Sequence, residues 1–350
     1  MAGVVHEGVH GFLNPASEAL AEAGFRQTLV FLDHPRHHHL VAQLPARVDV
    51  CLVPFQENHR LRRWLWLGEL TQSLLRNQTI DVVHVHGFLP WALGLRFGSL
   101  LPDHTQVFYT PHGSRSLAWI ERLQSVSGSL LAPAQSRLPA IIAPPGPEAR
   151  KALLHHAQPV FEIDAALPDL LFAMPRREAR RPLLVAGDWN LHQAGMERYC
   201  QMAVLLSAQE LNVSFNWIGH LTPWVRTRLQ ASNVGAHSLT ADTDLWQRLA
   251  PAWCHVAPHA PHGFPMVTAT AMALGLPTVA IDCAEHQQLI EHGRNGFLFR
   301  NMNEALTLLS QLIDQPALRE RIGQEARQRA AMRWSRQAQQ HALLRTYSRG

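Results

Sequence analysis

Residues His255–Phe299 read HVAPHAPHGFPMVTATAMALGLPTVAIDCAEHQQLIEHGRNGFLF, and their pattern decides the class of the fold. His255–Pro258 is a short apolar run with the length of a buried strand. A loop holding Gly263, Phe264 and Pro265 follows, then Val267–Leu274, a helical stretch of small residues. Gly275 and Pro277 stop that helix, and Thr278–Ile281 is a second strand. A helix that starts straight after a Gly-containing loop directs unpaired N–H groups and the positive end of its dipole at its surroundings. That arrangement suits an anion, phosphate above all. It equally serves an ordinary βαβ turn in which Gly263 supplies only a φ angle.

The alternation of strand and helix extends to both sides. Upstream, Leu183–Ala186 and Ser214–Ile218 read as strands, the second ending at Gly219, with helices at Ala194–Ala208 and Asp244–Leu249. At the start of the chain, residues 2–6 read as a strand and Glu7–Gly11 as a loop with Gly8 and Gly11. Ala16–Ala23 is then a helix and Gln27–Leu32 a strand. Asp81–His86, Gln106–Thr110 and Ala140–Ala143 are further strands, with helices at Pro90–Leu101 and Arg150–His156. These strands are nearly all apolar, as strands covered on both faces must be. Doubly wound sheets bind ligands at the C-terminal ends of their strands, which puts His86 and His112 at a binding rim, with Arg115 suited to a phosphate. A satisfied structural histidine is the other reading of each.

With 350 residues, 47% hydrophobic and 17% charged, the chain has material for two α/β domains and is not a disordered polymer. No apolar run reaches ~18 residues, which excludes a spanning helix. The N-terminus lacks the pattern of a signal peptide, so a cytoplasmic location is expected. Cys51, Cys200, Cys254 and Cys283 lie far apart and are expected to be reduced core thiols. The net charge is +4, yet Lys151 is the only lysine. Such a balance suits anionic partners or simply an arginine-rich coding bias. No nucleic-acid motif accompanies it. The loop with His34, His37, His38 and His39 reads as solvated rather than as a metal site. Arg60–Arg76 (RLRRWLWLGELTQSLLR) suits a helix lying on a membrane surface, or one packed on a sheet through Trp66, Leu70 and Leu74.

Several motifs together resemble the family-4 glycosyltransferases, retaining enzymes of the GT-B fold. They are GFPMVTATAMALGLPTVA, the later Gly293, Asn295–Leu298 element, DVVHVHG ending at Gly87, and TPHG at Thr110–Gly113. The resemblance implies an α/β architecture of two Rossmann-like doubly wound domains facing each other across a cleft, with a C-terminal helix crossing back to the first. The expected domains are residues 1–165, a Pro- and Arg-rich linker at 166–181, a nucleotide-sugar domain at 182–330 and the returning helix at 331–350. It implies transfer of a sugar from a nucleotide-sugar to a lipid-linked or glycan acceptor, in the cytoplasm or peripherally on the inner face of a membrane. No cofactor or metal and no nucleic-acid partner is expected. Donor contacts fall to His262, Gly263, Phe264, Pro265, Met266, Val267, Thr270, Gly187, Asp188 and Gly219, and catalytic roles to His112 and His86. Gly8, Gly11 and Arg115 are expected in a loop at the cleft.

The chain also departs from the pattern. The family carries an arginine after a strand-end glycine and a lysine soon after, both aimed at the departing diphosphate. Here Asp188 follows Gly187, Gln193 or Ala194 stands at the lysine position, and His262 and Thr270 replace two glutamates. Asp188 is expected to repel a diphosphate. The alternative function is therefore a catalytically silent GT-B protein that partners an active transferase or binds glycan.

Overall fold

The computed structural model describes residues 7–33, 38, 41–42, 44–54, 69–70, 73–74, 76–77, 79–86, 101–102, 104–111, 140–144, 159–188, 192–209, 212–239, 242–261 and 264–348. The chain divides into two compact units, Met1–Ala166 with Arg336–Gly350, and Leu167–Ser335.

Among the described residues of the first unit are α1 (Glu7–Glu22) and six strands: β1 (Gln27–Asp33), β2 (Val48–Pro54), β3 (Val82–His86), β4 (Gln106–Thr110), β5 (Ala140–Ala143) and β6 (Val160–Glu162). All pairings are parallel, β1 with β2, and β3-β4-β5-β6 in that order. Phe12, Ala16 and Leu20 of α1 bury one stripe at i, i+4, i+8 against Phe108, Ile142, and Leu343 and Tyr347 of the C-terminal helix. That stripe accounts for a departure from the sequence reading. Gly8 and Gly11, expected in a loop, lie within α1, which runs on past Pro15. A helical glycine costs only about 1 kcal/mol relative to alanine, and burying a single leucine or phenylalanine returns more. Residues 2–6 and the helices expected at Arg150–His156 and over most of Pro90–Leu101 and Arg60–Arg76 lie outside the described residues. His38 of the histidine-dense loop has an acidic neighbour that its spacing did not suggest, with Nε2 2.7 Å from Asp33.

The second unit holds α2 (Asp169–Ala173), β7 (Leu183–Asp188), α3 (Gln193–Ser207), β8 (Ser214–Gly219), α4 (Pro223–Ala231), β9 (Val234–Ser238), α5 (Asp242–Leu249), β10 (Cys254–Ala257), α6 (Met266–Ala273), β11 (Thr278–Ile281), α7 (Ala284–Gln287), β12 (Phe297–Phe299), α8 (Met302–Asp314) and α9 (Pro316–Trp334). Its sheet is parallel throughout, in the order β12-β11-β10-β7-β8-β9. The period of two sorts its side chains between two cores. Leu184, Ala186, Phe215, Trp217 and Val256 pack with α3 and α8 on one face. Val185, Ile218, Ala257 and Ala280 pack with α5, α6 and α9 on the other.

Residues 167–181, read as a linker, are packed into this unit. Leu167 N–H donates to the Trp334 carbonyl at 2.7 Å, and Leu171 is fully buried. The Arg176 guanidinium donates to the Gly275 carbonyl at 2.9 Å. Glu178 accepts two 3.1 Å bonds from Arg319, whose guanidinium lies 3.9 Å over the ring of Trp253. Gly275, with φ +76°, ends α6 in the left-handed region. The last element, α10 (Arg336–Tyr347), belongs to the first unit.

Candidate functional site

The strand order of the second unit creates one place where ligands bind in sheets of this kind. The chain builds outward from β7 through β8 to β9, then crosses to the other side of β7 with β10. Beyond the carboxyl ends of β7 and β10 the connections leave to opposite faces of the sheet, the position at which sheets of this kind form a ligand crevice. Asp188 ends β7, and His259 lies two residues past the end of β10. Two helices start at the same edge, α3 behind His192 and α6 behind Pro265.

The two strand ends are joined by a histidine–carboxylate contact. His259 Nε2 lies 2.8 Å from an Asp188 carboxylate oxygen, with side chains 10% and 21% exposed. The carboxylate that the sequence reading left facing a diphosphate alone thus has a partner at its own end of the sheet. His259 is stacked on His192, ring centroids 4.4 Å apart and planes 12° from parallel. His192 Nδ1 accepts the Gly195 N–H at 3.1 Å and so caps α3. Gly195 is required by packing: a Cβ there would lie 2.6 Å from His259 Nδ1 and 2.8 Å from its Cβ. Arg198, one turn along α3, donates to the Pro258 carbonyl and ties that helix to the end of β10.

Two more histidines lie behind this pair and are held neutral. Burial, with the neighbouring His286 and His259, pulls His255 down to about 3. Burial likewise pulls His286 down to about 4, although its Nδ1–H donates to the Ile281 carbonyl at 2.9 Å.

The predicted donor residues distribute as follows. Gly187 and Gly219 sit on adjacent strands where an added Cβ would meet the Ile218 and Asp188 carbonyls at 2.7 and 2.6 Å. Phe264 packs edge-on to Trp334, centroids 5.8 Å apart, and Pro265 is buried. Met266 and Val267 form the first turn of α6, which no side chain caps. Thr270 is buried within that helix. The Gly293–Leu298 element is a turn that leads into β12: Asn295, buried, accepts the Glu291 N–H at 2.7 Å and donates to the Leu289 carbonyl. His262 and Gly263 lie outside the described residues, as do His112 and Arg115. In the first unit His86 ends β3 and is buried, its ring 4.1 Å from His84 and 5.6 Å from Phe12. His84 is bonded at 2.7 Å to both the Tyr347 and Thr110 hydroxyls. His259 was not singled out from sequence; the signal was an imidazole directly after a strand-end Pro258, at the same edge as Asp188.

The description "Glycosyl transferases group 1" matches residues 180–315, and "Glycosyltransferase Family 4" matches residues 12–159. The chain belongs to the family-4-like glycosyltransferases. An uncharacterized glycosyltransferase of Haemophilus influenzae is 31% identical over 135 residues, which are 37% of this chain and 32% of the relative. The chain thus matches about a third of that relative's length. Among solved structures, S. aureus TarM (a mutant in complex with fondaparinux, alpha-GlcNAc-glycerol and UDP) is similar at a TM-score of 0.75 and 11% identity, covering 99% of each chain. Anabaena HepE with UDP-glucose gives a TM-score of 0.74 at 14% identity, over 99% of this chain and 99% of that one. Sucrose-phosphate synthase of Thermosynechococcus elongatus gives 0.72 at 15%, over 99% and 97%. At such identities the likeness is one of fold, and the fold is GT-B.

Proposed function

We propose that this family member transfers a sugar from a nucleotide-sugar to a lipid-linked or polysaccharide acceptor, with retention of configuration. The observation that carries the reading is the switch point in the sheet of the second unit, between β7 and β10, flanked by the starts of α3 and α6. Amide groups at an uncapped helix start favour a diphosphate in the ground state and as it departs. On this reading the Val267 and Gly263 amides hold the diphosphate beside Met266, whose N–H is taken by the Phe264 carbonyl, with Phe264 and Pro265 fixing the turn and Thr270 and His262 near the ribose or sugar. His112 and His86 are the proposed residues at the reacting sugar, and no metal is required. Arg60–Arg76 would then bring the protein to the surface that carries a lipid-linked acceptor.

One observation favours a second reading, a silent partner of an active transferase: a carboxylate, Asp188, ends β7 where a cation would serve the leaving group. The two separate in one assay. The full chain is incubated with UDP-, GDP- and ADP-sugars and a lipid-linked glycan acceptor, following diphosphate release and the anomeric configuration of product. Release with retention supports the transferase. Nucleotide-sugar binding without release supports the partner.

A further inference from the structure

We infer that His84 is a positioning residue for the proposed reaction: held between the Tyr347 and Thr110 hydroxyls, it sets the ring of His86 and the end of β4 that leads to His112. The inference rests on the reading above, in which those two histidines face the reacting sugar, and names what holds their strand ends in place.

Three side chains form a line across the first unit. His84 Nδ1 lies 2.7 Å from the hydroxyl of Tyr347, the last residue of α10. Its Nε2 lies 2.7 Å from the hydroxyl of Thr110, the last residue of β4. A hydroxyl both donates and accepts, so either neutral tautomer satisfies both nitrogens. Burial pushes the Tyr347 phenol above its ordinary range, so its proton stays in place. β3 and β4 pair with His86 opposite Thr110. His84 and His86, two apart on β3, point to one face of the sheet. Their rings lie 4.1 Å apart, with Phe12 5.6 Å from His86. Bonds at both nitrogens fix the plane of His84, and with it the surface on which the His86 ring rests. Thr110 stands two residues before His112, so the same bonds anchor the strand end from which that residue projects.

Stability does not account for this arrangement. His84 lies 5.9 Å from the ring of Phe12 and 6.3 Å from that of Phe108, beside a core that Leu20, Ile142 and Leu343 complete. In such a place a bonded polar pair contributes little net, and apolar groups of the same shape in place of both partners are nearly neutral or stabilising. What the three polar groups add is direction, because a hydrogen bond holds a ring at a set angle where an apolar contact lets it slip.

The test replaces the line by an apolar equivalent in the full chain, Thr110→Val with His84→Phe and Tyr347→Phe, beside Tyr347→Phe alone, which deletes a single oxygen. Nucleoside-diphosphate release from UDP-glucose, GDP-mannose and ADP-glucose is followed with a lipid-linked glycan acceptor, and the urea midpoint is read by circular dichroism. The expected result is a midpoint unchanged or raised, with kcat lower by roughly ten- to a hundredfold in the triple variant and by a smaller factor in Tyr347→Phe. The KM for nucleotide-sugar is expected to stay unchanged, because the proposed donor contacts lie in the second unit. A wild-type kcat in the triple variant, a change confined to KM, or a kcat that falls only together with the urea midpoint overturns the inference and leaves the proposed function intact. No release by the wild type from any of the three donors overturns both.

Discussion

Replacing Gly195 by alanine tests the geometry around His259 directly. The new Cβ would lie 2.6 Å from His259 Nδ1, whereas real Cβ contacts rarely fall below 3.4 Å, so the ring or the start of α3 must yield by roughly 0.8 Å. Overpacking of that size costs about 1–3 kcal/mol. Alanine returns up to about 1 kcal/mol through helix propensity, leaving a net loss of up to about 2 kcal/mol. The sign reverses only if the Cβ goes with the ring: in a His259→Gly background the clash is gone, and Gly195→Ala should stabilise by about 0.5–1 kcal/mol. Urea unfolding followed by tryptophan fluorescence reads this cycle, with buried Trp217 and Trp334 as reporters in the same unit. Equal destabilisation by Gly195→Ala in both backgrounds would refute the proposed contact, as would stabilisation in the wild type.

Two further perturbations probe the scaffold beneath the site. Arg319 has a side chain 6% exposed and joins Glu178, the Leu312 carbonyl and the face of Trp253; Glu178, 30% exposed, keeps Arg176 as a second partner. Arg319→Ala should therefore cost about 3 kcal/mol, at the low end for breaking a buried pair, and Arg319→Lys about half of that. A shift in urea midpoint below about 1 kcal/mol for Arg319→Ala would contradict the assignment. His255 and His286 have folded values of about 3 and about 4, below the ordinary 6.5, so the folded state binds fewer protons than the unfolded one. The stability they contribute is complete above about pH 6.5 and falls as pH drops toward the folded values, by about 1 kcal/mol per pH unit for each. His286→Gln should flatten the decline between about pH 6.5 and about pH 5 in urea titrations, and an unchanged slope would contradict the buried-neutral state.

Much of the second unit was legible because a parallel sheet covered on both faces writes its strands as short apolar runs. The runs at Thr278–Ile281, Ser214–Ile218 and Leu183–Ala186 match observed strands within one or two residues. The start of α1 was not legible, because Gly8 and Gly11 carry local turn propensity while the stripe through Phe12, Ala16 and Leu20 acts only once the sheet is present. The packing of residues 167–181 escaped for a similar reason: Pro168 and the arginines read as a solvated connection, yet Arg176 and Glu178 find partners about a hundred residues away or more. At the site, Asp188 was noticed as a departure, but its partner was not. The 71-residue separation of Asp188 and His259 leaves no local periodicity to connect them; adjacency of β7 and β10 does.

The claim on which the functional account rests is that the switch-point crevice of the second unit holds a nucleotide diphosphate. A crystal structure of the full chain soaked with UDP-glucose measures it directly. Diphosphate density is expected within about 3 Å of the Val267 amide, the Met266 N–H being engaged by the Phe264 carbonyl. Ordered water alone at the start of α6, or nucleotide bound elsewhere, would contradict it.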